Sequence, residues 1–102
     1  MSETYGMHVE FTAQVGQGDQ LEALLLEAAE GTTAVEDCLV YIVSRSVEQV
    51  DVVTVTEVWR SEAAHDESLK DPGVRALIER AMPLMGAPPK ASRLRPVGGK
   101  GL

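Results

Sequence analysis

Two runs rich in β-branched and aromatic residues, 38–47 and 50–59, follow one another with only Glu48 and Gln49 at the join. Such a pair predicts an antiparallel hairpin. Neither run alternates cleanly between apolar and polar. In the second, Val53, Val55 and Trp59 fall on one side, and Val52, Thr54, Thr56 and Val58 on the other. A sheet open to water on one side alternates more strictly, so each face of this hairpin needs a cover. A chain of 102 residues has room for one core. Helices can cover one face, which leaves the other for a second subunit.

The remaining elements fall on either side of the hairpin. Residues 7–15 alternate, with Val9, Phe11, Ala13 and Val15 opposite His8, Glu10, Thr12 and Gln14, and predict a first strand. Gly16 and Gly18 interrupt it. Asp19 followed by Glu22 spells a capping box, and Leu21, Leu24, Leu25, Ala28 and Ala29 recur at helical spacing. A helix over about residues 20–30 follows, with Gly31 expected as its left-handed stop. After the hairpin, Ser61 is the expected N-cap of a short helix carrying Ala63, Ala64 and Leu69. Asp71 and Pro72 then restart the helix with a cap and a first-turn proline. Val74, Leu77, Ile78, Ala81 and Met82 supply the apolar face of this second piece. Pro83 and Gly86 end it, and residues 91–97 predict a last strand with Arg93 and Arg95 on its polar side.

The order βαββαβ predicts an α+β, ferredoxin-like domain: a four-stranded antiparallel sheet with the helices on one face. The domain is expected over residues 1–97, followed by a flexible, glycine-rich tail at 98–102. The bare sheet face predicts a symmetric homodimer.

Charge and composition narrow the partners. Nine Lys and Arg against sixteen Asp and Glu leave a formal charge of −7. The acids are spread along the chain as on a solvated surface, and no basic stripe is interleaved with aromatics, so no nucleic-acid partner is expected. The lone Cys38 cannot close an intramolecular disulfide. Neither a leader-like N-terminal segment nor an apolar run of membrane length is evident, so a reducing cytoplasm and no membrane contact are expected. Cys38 has no neighbouring His or Lys to activate it and reads as a packing residue.

No phosphate loop, dinucleotide glycine fingerprint, metal-ligand spacing or nucleophile elbow is present in the sequence. Chemistry concentrates instead in Glu57, Trp59 and His65. Glu57 and Trp59 share the strand face of Val53 and Val55, which is expected to point toward the helices. A carboxylate there must pair, shift its pKa or reach solvent, and a salt bridge to Arg45 or Arg60 is the simplest expectation. Trp59 is either a core filler or an aromatic wall for a flat ligand. His65 is either an exposed helix residue or a general base poised near neutrality. His8 is expected at solvent or at an interface. Met82 and Met85 read as adaptable core or as pocket lining.

Two segments resemble a known family. Ala34-Val35-Glu36-Asp37-Cys38-Leu39-Val40-Tyr41 resembles the entry to the second strand of the antibiotic biosynthesis monooxygenases. Glu57-Val58-Trp59-Arg60-Ser61-Glu62-Ala63-Ala64 resembles their E-x-W-x-S-x-E-A signature. The resemblance implies a dimeric α+β barrel with a cavity between sheet and helices in each subunit. It also implies a monooxygenase that uses no cofactor and no metal to oxidise a small phenolic, hydroquinone or polyketide anthrone substrate with O2. His65, Trp59 and Glu57 would be catalytic, and Trp59, Tyr41, Val55 and Met82 would touch the small aromatic ligand. Ser68 stands where many members have a histidine, Val55 where some have an asparagine, and Asp37 where a glycine is usual. Those departures keep two other readings open: a non-catalytic dimeric binding module for a flat apolar metabolite, and an accessory dimer with a filled cavity.

Overall fold

The computed structural model describes residues 4–102; the first three residues of the expected domain lie outside that range. The elements run β1 (Tyr5–Thr12), α1 (Gly18–Gly31), β2 (Cys38–Arg45), β3 (Val52–Trp59), α2 (Glu62–Ser68), α3 (Pro72–Ala81), a 3-10 turn (Met82–Leu84) and β4 (Lys90–Leu94). The four strands form one antiparallel sheet in the order β2-β3-β1-β4. This is the expected ferredoxin-like arrangement, with the second helix broken in two.

Helices form where the caps are. The Ser61 side chain accepts the Ala64 N–H and starts α2, and the Asp71 side chain accepts the Val74 N–H and starts α3 with Pro72 in its first turn. Each cap satisfies a donor that the helix itself leaves unpaired and stabilises by about 1 kcal/mol. The start of α1 differs from expectation. It begins at Gly18 after Gln17, with no cap from its own side chains. Asp51, in the turn between β2 and β3, accepts the N–H groups of Gly16 and Gly18 at 3.0 and 3.1 Å. Asp19 and Glu22 are therefore free to pair with Arg45. Gly16, at φ +82°, makes the turn out of β1. At its C-terminus α1 ends on Thr32 in right-handed conformation, not on a left-handed Gly31, and the Thr32 hydroxyl donates to Ala29 O.

Odd-numbered residues of β1 and β3 face the helices. Val9, Val53, Val55 and Trp59 are buried, and Ala13, Leu21 and Val53 form a core against which Phe11, Leu25, Val43, Leu84 and Met85 pack. Burying each large aliphatic chain contributes on the order of 1.5–3 kcal/mol. Gly86 lets the chain after the 3-10 turn cross β1 closely, since a Cβ there would lie 2.8 Å from Ala13 O. Val15, expected on the inner face, is exposed because β1 has already ended and the chain turns at Gly16. Met82, expected on the apolar face of α3, sits in the 3-10 turn and is 66% exposed. The strands are also shorter than predicted: residues 46–51 form the hairpin turn, and β4 stops at Leu94.

The face away from the helices is laid out in rows set by the strand register. One row runs Val40, Val58, Gly6, Leu94; the next Ile42, Thr56, His8, Ser92; the third Ser44, Thr54, Glu10, Lys90. Apolar side chains thus collect toward one end of the sheet, and Ile42 and Leu94 remain exposed. Among the described residues no helix is long and apolar enough to cross a membrane.

Candidate active site

The α-helical layer and the sheet do not close on each other everywhere. Between them lies a partly open cavity of about 940 Å³. The end of α1 and the loop after it form one wall, through Glu27, Ala28 and Val35. A second wall comes from α2 and α3, through Leu69, Val74, Leu77 and Arg80. The sheet contributes Tyr41, Glu57 and Trp59 as the floor. No residue of α3 is buried, and its Val74 and Leu77 side chains line the cavity, while Ala81 packs against the core.

Local structure brings the floor together. The Ser61 cap turns the chain straight back after β3, and one helical turn later His65 lies over the end of that strand. Its ring meets Trp59 edge-on at 5.8 Å between centroids and lies 5.2 Å from the Tyr5 ring. Tyr5 reaches this place because it pairs with Trp59 across β1 and β3. His65 is 7% exposed, so the expectation of an exposed helix histidine is corrected. The turn imposed by the cap folds it under the helix.

Glu57 does not pair with an arginine. Its Oε1 accepts the Trp59 indole N–H at 2.8 Å and lies 3.9 Å from His65 Nε2. Arg45 is held by Asp19, Glu22 and the Val50 carbonyl, and Arg60 by Asp37. Strand geometry explains both: Arg45 pairs opposite Val53, four residues from Glu57 along β3, or roughly 13 Å, and Arg60 has the opposite parity. On its other side His65 places Nδ1 3.1 Å from Asp66 Oδ1. Trp59 is at once a packed residue and a cavity wall.

Tyr41 stands opposite Glu57 across β2 and β3. Burial, then the Glu57 charge, then Cys38 push its phenol well above the ordinary tyrosine range. The same floor raises Cys38, through burial first and Glu57 further, with partial relief from Thr32. That thiol is therefore less ionised than a free one, in keeping with a packing role.

Of the residues expected to touch a ligand, Trp59 and Tyr41 line the cavity. Val55 does not: it lies beneath the layer, buried between Val9 and Val43 on the neighbouring strands. Met82 is turned outward by the 3-10 turn. The sequence reading missed Tyr5 and Asp66. Strand parity was a usable signal for Tyr5, because it continues the inward set of Val9 and Phe11. Nothing periodic marks Asp66. Among the described residues no group of three or more His, Cys, Asp or Glu is arranged to hold a metal ion.

The sequence model of the family described as antibiotic biosynthesis monooxygenase matches residues 4–80. A crystal structure from Chloroflexus aurantiacus, whose name assigns it provisionally to the antibiotic biosynthesis monooxygenases, is 35% identical over 94% of this chain and 95% of that one, with a TM-score of 0.83. A protein from Mycobacterium tuberculosis is similar at 22% identity, 95% and 98% coverage and a TM-score of 0.85. A further structure, from Caulobacter crescentus, is similar at 23% identity, 95% and 92% coverage and a TM-score of 0.88. At those identities the last two show the shared fold alone. A comparison with curated proteins finds no match.

Proposed function

This chain belongs to the antibiotic biosynthesis monooxygenase family, and on that footing we propose that it oxidises a small phenolic, hydroquinone or anthrone substrate with O2 and without a prosthetic group. The observation that carries the reading is the cavity floor, where a buried histidine, a buried carboxylate and an indole meet beside space for a flat ligand. Trp59 and Tyr41 are the aromatic surfaces against which the substrate lies. His65 accepts the substrate hydroxyl proton through Nε2, which makes the ring electron-rich enough to reduce oxygen. One oxygen atom ends on a ring carbon and the other leaves as water with two substrate hydrogens, so no external reductant is consumed.

Glu57 has two opposed effects in this scheme. An imidazolium formed 3.9 Å from its carboxylate gains roughly 4 kcal/mol at an effective dielectric of 20. The substrate anion is repelled by the same charge. The phenol of Tyr41, raised by burial first and by the Glu57 charge second, stands in the same field, and that repulsion favours a second reading: a binding module that holds the protonated metabolite without turning it over.

The proposed assembly is a homodimer through the outer sheet face, where Val40, Val58, Ile42 and Leu94 offer an apolar patch next to the polar row of Ser44, Thr54, Glu10 and Lys90. The free Cys38 suits a reducing cytoplasm. Oxygen uptake by the purified protein with a panel of hydroquinones and anthrones tests the function, with His65→Ala as control. Uptake that falls about 10²–10⁴-fold in the variant supports the oxygenase. Saturable Trp59 quenching without uptake supports the binding module.

A further inference from the structure

We propose that Asp66 holds His65 as the Nδ1–H tautomer, so that Nε2 presents a lone pair beside Glu57 and the site takes a hydroxylic, reduced ligand over its carbonyl counterpart. This rests on the reading of His65 as the group that meets the ligand. The geometry at the two ring nitrogens differs. Nδ1 lies 3.1 Å from Asp66 Oδ1, within hydrogen-bond range. Nε2 lies 3.9 Å from Glu57 Oε1, outside it, and that oxygen already accepts the Trp59 N–H. An imidazolium, stabilised by the Glu57 carboxylate at 3.9 Å, forms when Nε2 takes the ligand proton. A neutral ring protonated on Nε2 would set the Nδ1 lone pair against the Asp66 carboxylate and aim its only donor at nothing in range. The Nδ1–H form satisfies both sides.

Among the described residues the groups facing His65 are few. They are Asp66 from α2, Glu57 and Trp59 from β3, and Tyr5 from β1, with Arg93 of β4 stacked behind Tyr5 and engaged by Glu62. None places a donor on Nε2. Two acceptors, Nε2 and Oε1, therefore converge on one place at the cavity floor. A ligand O–H donates to Nε2, whereas a quinone carbonyl brings a further acceptor and leaves the Nε2 lone pair unpaired beside an Oε1 that holds only the Trp59 N–H. A site built around a missing donor rejects the analogue that lacks it. In this protein Asp66 is a positioning residue: it acts on the ligand only through the histidine ring.

The test uses the full chain labelled with 15N-histidine, with His8→Gln to assign the second ring. Ring nitrogen shifts at neutral pH are expected to report Nδ1–H with unprotonated Nε2. Asp66→Glu should keep that pattern, and Asp66→Asn, at a side chain 61% exposed, should shift it toward Nε2–H. Anaerobic calorimetry with a naphthohydroquinone and its matching naphthoquinone is expected to show at least roughly tenfold tighter binding of the hydroquinone, with the ratio collapsing in Asp66→Asn. An imidazolium or Nε2–H ring in the unaltered protein overturns the proposal, as does equal affinity for the two forms or binding of neither. Absence of oxygen uptake would sink the oxygenase alone, because neither the tautomer nor the binding ratio requires turnover.

Discussion

Glu57 and Trp59, two residues apart on β3, bond to each other: the indole N–H donates to the carboxylate at 2.8 Å, and both side chains are buried. A strand places residues i and i+2 on one face, and here the pairing supplies the only hydrogen bond found to the Glu57 side chain among the described residues. Trp59→Phe keeps the aromatic packing but removes the donor. It should cost about 1–3 kcal/mol in urea unfolding followed by circular dichroism. Adding Glu57→Gln should recover part of the loss, because the neutral amide is less costly to bury; full additivity of the two changes would refute the coupling.

His65→Gln tests the role of the ring without opening a large void. Turnover of any accepted hydroquinone should drop by about 10²–10⁴-fold, while Trp59 quenching by the same ligand persists. Equal turnover in the two proteins would remove His65 from the chemistry.

The pH dependence of stability follows from Tyr41. Its folded pKa is raised, by burial first and by Glu57 second, so above the ordinary tyrosine value near 10 the unfolded chain loses its proton while the folded chain keeps it. Stability is then fully present below about pH 10 and falls as pH rises toward the folded value. Denaturant midpoints should decline more steeply in the unaltered protein than in Tyr41→Phe over that range. Parallel decline would locate the alkaline loss elsewhere.

The outer sheet face is tested by Ile42→Asp. Ile42 is 54% exposed in the single chain and sits midway along the edge strand β2, beside Thr56. A charge there should convert a dimer to monomers in sedimentation velocity and leave the cavity side intact. A sedimentation profile that does not change would exclude this face as the interface.

The parts of the molecule that local rules govern were legible before the structure. Ser61 and Asp71 are caps whose side chains reach the N–H groups three residues on, and the parity of β3 sorted Val53, Val55, Glu57 and Trp59 onto the inner face. Partners across the fold were harder to read. Asp19 and Glu22 look like a capping box, yet Arg45 from β2 claims both, and Asp51 from a distant turn caps α1 in their place. Charge alone directs Glu57 to an arginine, but Arg45 lies opposite Val53, too far along the strand to reach it. The burial of His65 depends on how sharply α2 folds back over β3, which residue spacing does not encode. Asp66 was invisible for the same reason: its importance comes from the direction of one ring.

The α3 helix is capped and formed, yet none of its residues is buried. Its hold on the rest of the protein includes an exposed ion pair, Arg80 to Glu27 on α1, of a kind that contributes about 1 kcal/mol or less. Val74 and Leu77 of this helix border the cavity instead of closing against the sheet. Amide exchange should be fast along α3 and slow along β3 in the empty protein, and a bound aromatic should slow α3 by serving as the core it lacks. Occupancy would then be written into the stiffness of a single helix.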